Sequence, residues 1–396
     1  MKHMKFLTFA VGLAFALAAC GSHSDNGTES GVGEKPGQGE NIQADFAKGA
    51  DISWVTEMEH QGMKFYNASG VETDCFRLMK ELGLNAVRLR VWVDPKAHGD
   101  WCNASDLVGK AKRAKELGME VMVDFHYSDW WADPAQQHKP AAWKGKSLAE
   151  LKKALDDHTT GVLRALKTAG VTPKWMQVGN EIRPGMLWDE ERALSGASYD
   201  VREKDLKDAP PTATDRVVYP MNWGNLGAFV ATGYDAVKSV FPDAVVIVHI
   251  DNGYDKELYS WFFDELKKNG GKWDMIGMSL YPYWSREAKP EYKSADAVIA
   301  DCIGNIRAVG AKYNCDVMVV ETGMECADDH GKLVNASVLA EGKRQLARIL
   351  KECKENTGGR CKGVFYWEPE CRPSQYRLGA FTEEGRPTVI MDAFGE

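Results

Sequence analysis

Two glutamates sit where packing alone gives a carboxylate nothing to do. The stretch Lys174-Trp-Met-Gln-Val-Gly-Asn-Glu-Ile-Arg-Pro184 begins as an apolar run and ends on an amide and a carboxylate, Asn180-Glu181. A second apolar run, Asp316-Val-Met-Val-Val-Glu321-Thr-Gly, ends the same way. An ionised carboxylate that is desolvated and unpaired costs several kcal/mol, so each must serve something nearby. Placed across one cleft, two such groups suit glycosidic bond hydrolysis. One carboxylic acid protonates the leaving oxygen, and the other carboxylate attacks the anomeric carbon or activates water. The two tasks need different pKa values. Glu181, next to Asn180 and among aromatics, is expected to be the proton donor. Glu321, with Arg88 and Tyr281 available to hold it ionised, is expected to have a lowered pKa as nucleophile.

The elements around these residues read as strand, loop and helix, repeated. Strands are expected at residues 48–53, 85–92, 120–126, 174–180, 244–250, 275–281, 316–321 and 362–367. Helices are expected at residues 73–82, 148–169, 226–240, 254–268, 295–313 and 338–352, with one more capped by Ser105 and running to Leu117. Gly83, Gly118 and Gly170 fall where helices should stop. Residues 188–223, polar and containing Pro210, Pro211 and Pro220, read as an elaborate loop. Eight short apolar strands alternating with helices point to an α/β fold, a (β/α)8 TIM barrel forming a single catalytic domain over residues 46–396. An open doubly wound sheet is disfavoured, because Gly49-Ala-Asp-Ile-Ser-Trp is not a GxGxxG phosphate loop. In a barrel the chemistry lies at the C-terminal strand ends. Here those ends carry Ser53 and Trp54, Arg88, Arg90 and Trp92, Asp124 and His126, Asn180 and Glu181, His249 and Asp251, Tyr281, Glu321 and Trp367.

The strand-four Asn-Glu and strand-seven Glu look like those of clan A glycoside hydrolases. One stretch is more specific. Asp124-Phe-His-Tyr-Ser-Asp-Trp-Trp-Ala-Asp-Pro134, followed by Gln137, Pro140 and Trp143, resembles the endo-β-1,4-galactanases of glycoside hydrolase family 53. Gly49-Ala-Asp-Ile-Ser53, Val87-Arg-Leu-Arg-Val-Trp92, Val178-Gly-Asn-Glu-Ile182 and Trp367-Glu-Pro369 fit the same pattern. The resemblance implies an endo-acting, retaining hydrolase of β-1,4-galactan in type I arabinogalactan, with Glu181 as acid/base and Glu321 as nucleophile. It implies that Arg88, His126, Asn180 and Tyr281 surround the reacting sugar, and that Trp367 forms a platform under it. Asp129, Trp131, Asp133 and Trp143 would build the loop beside the cleft. On the residues alone, Asp129 and Asp133 equally suit turn formation, His126 a structural histidine, and Trp131 and Trp143 loop packing. Other readings are a clan A hydrolase of mannan or cellulose, or a glycan-binding barrel without activity. Cleavage tests on the three polysaccharides separate them.

Bulk properties fit this picture. The chain has 396 residues, a net charge of −8, 44% hydrophobic and 27% charged residues. That suits a soluble globular domain and argues against nucleic acid as partner. Thirteen tryptophans suit stacking on sugar rings. Residues 1–19 read as a signal peptide: a basic start, then a short apolar run. The ending Leu17-Ala18-Ala19-Cys20 resembles a bacterial lipobox, which implies cleavage before Cys20 and its acylation; a plain secretory signal is the alternative. Residues 20–45 read as a flexible tether. The expected product is an exported monomer, at the surface or in the periplasm, touching membrane only through a lipid on Cys20. Eight further cysteines are expected to form disulfides, with Cys302–Cys315, Cys353–Cys361 and Cys326–Cys371 favoured. No cofactor is expected. Bacterial relatives can carry calcium in the loop after strand seven. Here that loop has Glu325, Asp328 and Asp329 but also Cys326, and no EF-hand alternation, so a disulfide is expected in place of the metal.

Overall fold

The computed structural model describes residues 46–188 and 223–396. The residues read as a signal peptide and tether, with Cys20, and nearly all of the long loop read at residues 188–223 lie outside the described residues. Eight parallel strands close into a barrel in sequence order. They are β1 (Ala47–Asp51), β2 (Ala86–Val91), β3 (Glu120–Phe125), β4 (Trp175–Val178), β5 (Val245–Ile250), β6 (Met275–Leu280), β7 (Asp316–Thr322) and β8 (Cys361–Trp367). The ring is completed by β1 against β8, with Gly49 opposite Phe365. Each strand lies within about three residues of the run expected from its apolar pattern, because parallel strands covered by helices read as near-continuous apolar stretches.

The helices follow from capping and stripe. Leu148–Thr168 starts at Ser147, whose side chain and that of Glu150 form a reciprocal capping box. Leu151, Leu155, Val162, Leu163 and Leu166 then recur at helical spacing and are buried. Ala104–Glu116 is capped by Asn103, which accepts from Asp106 N, and not by Ser105. Asn103 is the residue with extended backbone, whereas Ser105 already lies inside the first turn. Two short helices, Val55–His60 and Pro282–Ala288, escape the sequence reading; neither has a side-chain cap, and neither is long enough to show a period.

Inside the barrel an apolar plug holds Ala47, Ala86, Met122, Trp175, Ile247, Met275, Met318, Val320 and Phe365. Phe365 fills the lumen so closely that a Cβ on Gly49 would lie 2.3 Å from its ring. Truncating a buried phenylalanine of this kind costs about 3–5 kcal/mol.

One irregularity matters for the site. Met278 pairs with Val319, but the next residue, Ser279, pairs with Glu321. The extra residue is a β-bulge at Val320. Regular alternation after Met318 and Val320 would send Glu321 outward, and the bulge turns it into the lumen.

The described cysteines are all free thiols, contrary to the expected disulfides. Cys326 Sγ points at the Phe381 carbonyl, 3.7 Å away, and not at Cys371. Cys302 Sγ packs towards Gly253, while Cys315 sits half-buried at the start of β7 and meets Trp273. Cys353 and Cys361 do meet, as hydrogen-bonded thiols. Among the described residues no helix is long and apolar enough to cross a membrane.

Candidate active site

Above the plug the inward positions turn polar. Strand alternation brings Asp51, Arg88, Asp124, Gln177, His249, Ser279 and Glu321 into one layer, all 5% exposed or less. Arg88 is its centre. Its Nη1 donates to Asp51 Oδ2 at 2.8 Å. Its Nη2 meets Asp124 Oδ2 at 2.8 Å, Glu321 Oε1 at 2.9 Å and Asn180 Oδ1 at 2.8 Å. Its Nε donates to Gln177 Oε1 at 3.2 Å. Burial disfavours the guanidinium charge, but Asp124, Glu321 and Asp51 outweigh that, so Arg88 stays protonated. Burial likewise pushes Asp124 up, and Arg88 and His126 more than reverse it, leaving Asp124 below the ordinary carboxylate range.

The two glutamates come from different strands, Glu181 just after β4 and Glu321 within β7. β4 ends at Val178, Gly179 turns with φ +81°, and Glu181 adopts φ +46°. A left-handed non-glycine residue costs about 1–3 kcal/mol and persists where its surroundings fix it. The result presents Asn180 and Glu181 side by side at the barrel mouth. Glu181 Oε1 accepts from Ser279 Oγ at 2.6 Å. Glu321 accepts from Tyr281 Oη at 3.0 Å on its other oxygen.

Electrostatics separates the pair. Burial raises both. Glu181 is raised further by Glu321 and Asp251, with the Ser279 hydroxyl opposing. Glu321 has Arg88 and Tyr281 pulling it down, so it is the one that ionises first. The expected lowering of Glu321 is therefore corrected: desolvation exceeds the pull of Arg88, and what survives is the order of the two groups.

The remaining expected residues fall into three groups. Asn180 uses Oδ1 for Arg88 and one Nδ2 hydrogen for Ala132 O at 2.7 Å, which leaves one N–H for a ligand. His126 is expected beside the sugar, but both its nitrogens are engaged by protein. Nδ1 accepts from Trp92 Nε1 at 3.2 Å and Ala132 N at 3.1 Å, and Nε2 meets Asp124 at 3.0 Å. It supports Asp124 and the loop. Asp129 accepts from Asp94 N and Ala141 N, and Asp133 from Ala135 N and Gln136 Nε2, so both shape the loop. Trp143 is buried against His158.

Trp367, half-buried at the end of β8, forms an aromatic floor with Trp54 at 6.0 Å and buried Trp131 at 5.9 Å. Beneath them Arg90 lies 4.2 Å from the Trp131 ring centre and pairs with Glu368. Gln177 and Ser279 were not singled out in the sequence. Both lie two residues from a plug or cleft residue on their own strand, and strand alternation is the signal that finds them.

The carboxylates of the acidic loop after β7 have protein partners. Glu325 and Asp329 both pair with Arg377, and Asp328 accepts from His330 N at 2.8 Å and Lys332 N at 2.9 Å. Arg377 thus ties this loop to the one after β8, where the Cys326–Cys371 disulfide was expected in place of a metal. Among the described residues no set of three His, Cys, Asp or Glu is arranged to hold a metal.

Comparison with known proteins gives a consistent result. The description of glycosyl hydrolase family 53 matches residues 47–387. An uncharacterized protein of Niallia circulans is 36% identical, covering 83% of this chain and 85% of its own. An arabinogalactan endo-beta-1,4-galactanase of Cellvibrio japonicus is 33% identical, covering 88% and 89%. A solved structure reported as one of two fungal beta-1,4-galactanases superposes with a TM-score of 0.72 at 27% identity, over 89% of this chain and 100% of that one.

Proposed function

Because the chain belongs to glycosyl hydrolase family 53, we propose that it is an endo-acting hydrolase of β-1,4-galactosidic bonds in galactan, working by double displacement. Glu321 attacks the anomeric carbon while Glu181 gives its proton to the glycosidic oxygen, which leaves. Water then attacks the glycosyl-enzyme, giving its proton to Glu181, and Glu321 departs. The observation that carries this reading is the unequal surroundings of the two glutamates. Glu321 faces a guanidinium at 2.9 Å, and Glu181 faces carboxylates and one hydroxyl. That inequality supports one group ionised and the other protonated at the same pH. Asn180 would hold a sugar hydroxyl next to the scissile bond, and Trp367 would stack on the ring.

Incubation with galactan, mannan and cellulose, followed by reducing-end analysis, tests it. Galactan alone should be cut. Cleavage of mannan or cellulose instead would reassign the substrate, and galactan binding without cleavage would make this a binding barrel.

Export and anchoring through Cys20 belong to the same proposal, on the strength of the lipobox-like sequence. Fatty-acid labelling of the full chain should disappear in Cys20→Ser; labelling that persists rejects it.

A further inference from the structure

A line of polar atoms runs from Glu181 into the barrel, and the mechanism above does not use it. Glu181 Oε1 lies 2.6 Å from Ser279 Oγ, and that hydroxyl lies 2.8 Å from His249 Nε2. His249 is fully buried; burial, then the charge of Arg88, holds its imidazole well below the usual histidine range, so it is neutral and carries one proton. Which nitrogen carries it decides the direction of the line.

The main-chain N–H of Glu181 itself, an obligate donor, points at Nδ1 from 3.4 Å. The Gln177 amide has two hydrogens; Asp124 Oδ1 takes one at 2.6 Å, and the other is within reach of Nδ1 at 3.1 Å, Asn180 Oδ1 at 3.0 Å and Gly179 O at 3.2 Å. Asn180 Oδ1 lies 3.0 Å from Nδ1 and already accepts from Arg88 Nη2 at 2.8 Å. Leaving the Glu181 N–H without an acceptor would cost about 1–3 kcal/mol. The lone pair therefore belongs on Nδ1 and the proton on Nε2. His249 Nε2–H then donates to Ser279 Oγ, and the single serine hydrogen is committed to Glu181 Oε1.

We propose that His249 and Ser279 are positioning residues that fix which oxygen of Glu181 carries the catalytic proton. With Oε1 taken by the serine hydrogen, the proton resides on Oε2. The reverse direction would place it on Oε1, aimed into the barrel and away from a leaving group. Proton bookkeeping stays simple through the cycle. Oε2 gives its proton to the glycosidic oxygen in the first half and takes one from water in the second, while Ser279 and His249 keep theirs. The line never has to reverse. This rests on the reading of Glu181 as acid/base.

The groups facing Glu181 are Glu321 from β7, Asp251 after β5, Asp133 from the loop after β3, Tyr281 after β6 and His249 itself. The Ser279 hydrogen bond favours the ionised form. Its removal therefore raises the pH at which Glu181 loses its proton.

Ser279→Ala, Ser279→Thr and Glu181→Gln test this in the intact chain, by kcat and KM on galactan across pH. In Ser279→Ala the alkaline limb of kcat/KM should rise by about one pH unit, a tenfold change in the acid's ionisation. At the optimum, kcat should fall about tenfold while KM changes less than about twofold. Ser279→Thr, which keeps a hydroxyl, should restore the limb. An alkaline limb that stays put or falls in Ser279→Ala, with Glu181→Gln inactive, overturns this inference alone. An active Glu181→Gln overturns the acid/base reading beneath it. Nitrogen-15 NMR of His249 in the unmodified protein reports the tautomer independently of any variant: protonation at Nε2 supports the assignment, and protonation at Nδ1 rejects it.

Discussion

Replacing Tyr281 by phenylalanine removes one oxygen from the site and leaves the ring in place. That oxygen donates to Glu321 Oε2 at 3.0 Å, while Arg88 holds the other carboxylate oxygen at 2.9 Å. A hydrogen bond to a charged group contributes about 1.5–3 kcal/mol. At about 1.36 kcal/mol per pKa unit, this corresponds to roughly one to two units. Arg88 remains, and water can take the vacated position at the cleft, so about one unit is the expected shift. Its sign follows from what the bond favours. The hydroxyl stabilises the carboxylate, so its loss raises the pKa of Glu321 above a value already raised by burial. Glu321 must be ionised to attack, so the acid limb of kcat/KM should move up by about one pH unit. The alkaline limb, set by Glu181, should stay. Initial rates of reducing-sugar release from dilute galactan, between about pH 4 and about pH 9, measure both limbs. An acid limb that is unmoved, or that moves down, would refute the role given to this contact.

Glu181→Gln and Glu321→Gln should each lower turnover by about three orders of magnitude or more without lowering the melting temperature, since each removes a carboxylate raised by burial; a variant with near-normal rate removes that residue from the mechanism. Proton NMR of the first-formed product should show retention at the anomeric carbon, with the carboxyl groups about 5–5.5 Å apart; inversion would replace the nucleophile by a water. Trp367→Ala should raise KM for galactan with both pH limbs unmoved, and a displaced alkaline limb would show that it acts through Glu181. Chelation by EDTA should leave rate and melting temperature unchanged, because Arg377 already engages Glu325 and Asp329; a lower melting temperature in EDTA would show a metal tie.

The barrel was legible because apolar strand runs, capping residues and terminal glycines all agree along this chain. The ends of those strands also gave most of the site: Arg88, Asn180, Glu181, Tyr281, Glu321 and Trp367 come together. What was not legible depends on partners distant in sequence. Nothing in Gln177 or Ser279 announces a role, since a single amide or hydroxyl on an apolar strand gains meaning only once neighbouring strands set the register. The sign of the Glu321 shift was missed for a related reason. Its opposing contributions, desolvation and Arg88, can be weighed only when the burial of the carboxylate is seen. His126 and Trp143 carry motif positions, but their surroundings are protein on all sides. The tie made by Arg377 between the loops after β7 and β8 required two segments 48 residues apart to meet.

The bulge at Val320 makes the direction of Glu321 a matter of counting. Two residues separate Met318 from Glu321, a spacing that puts the pair on opposite faces of a regular strand, and the bulge absorbs the second of them. Straightening the strand at its present length would carry the glutamate to the helical side of the wall. Losing Val320 together with the bulge would instead leave the glutamate opposite Ser279, still facing the cleft. The direction of the nucleophile is thus held by the irregularity in the pairing and not by any side chain at position 320.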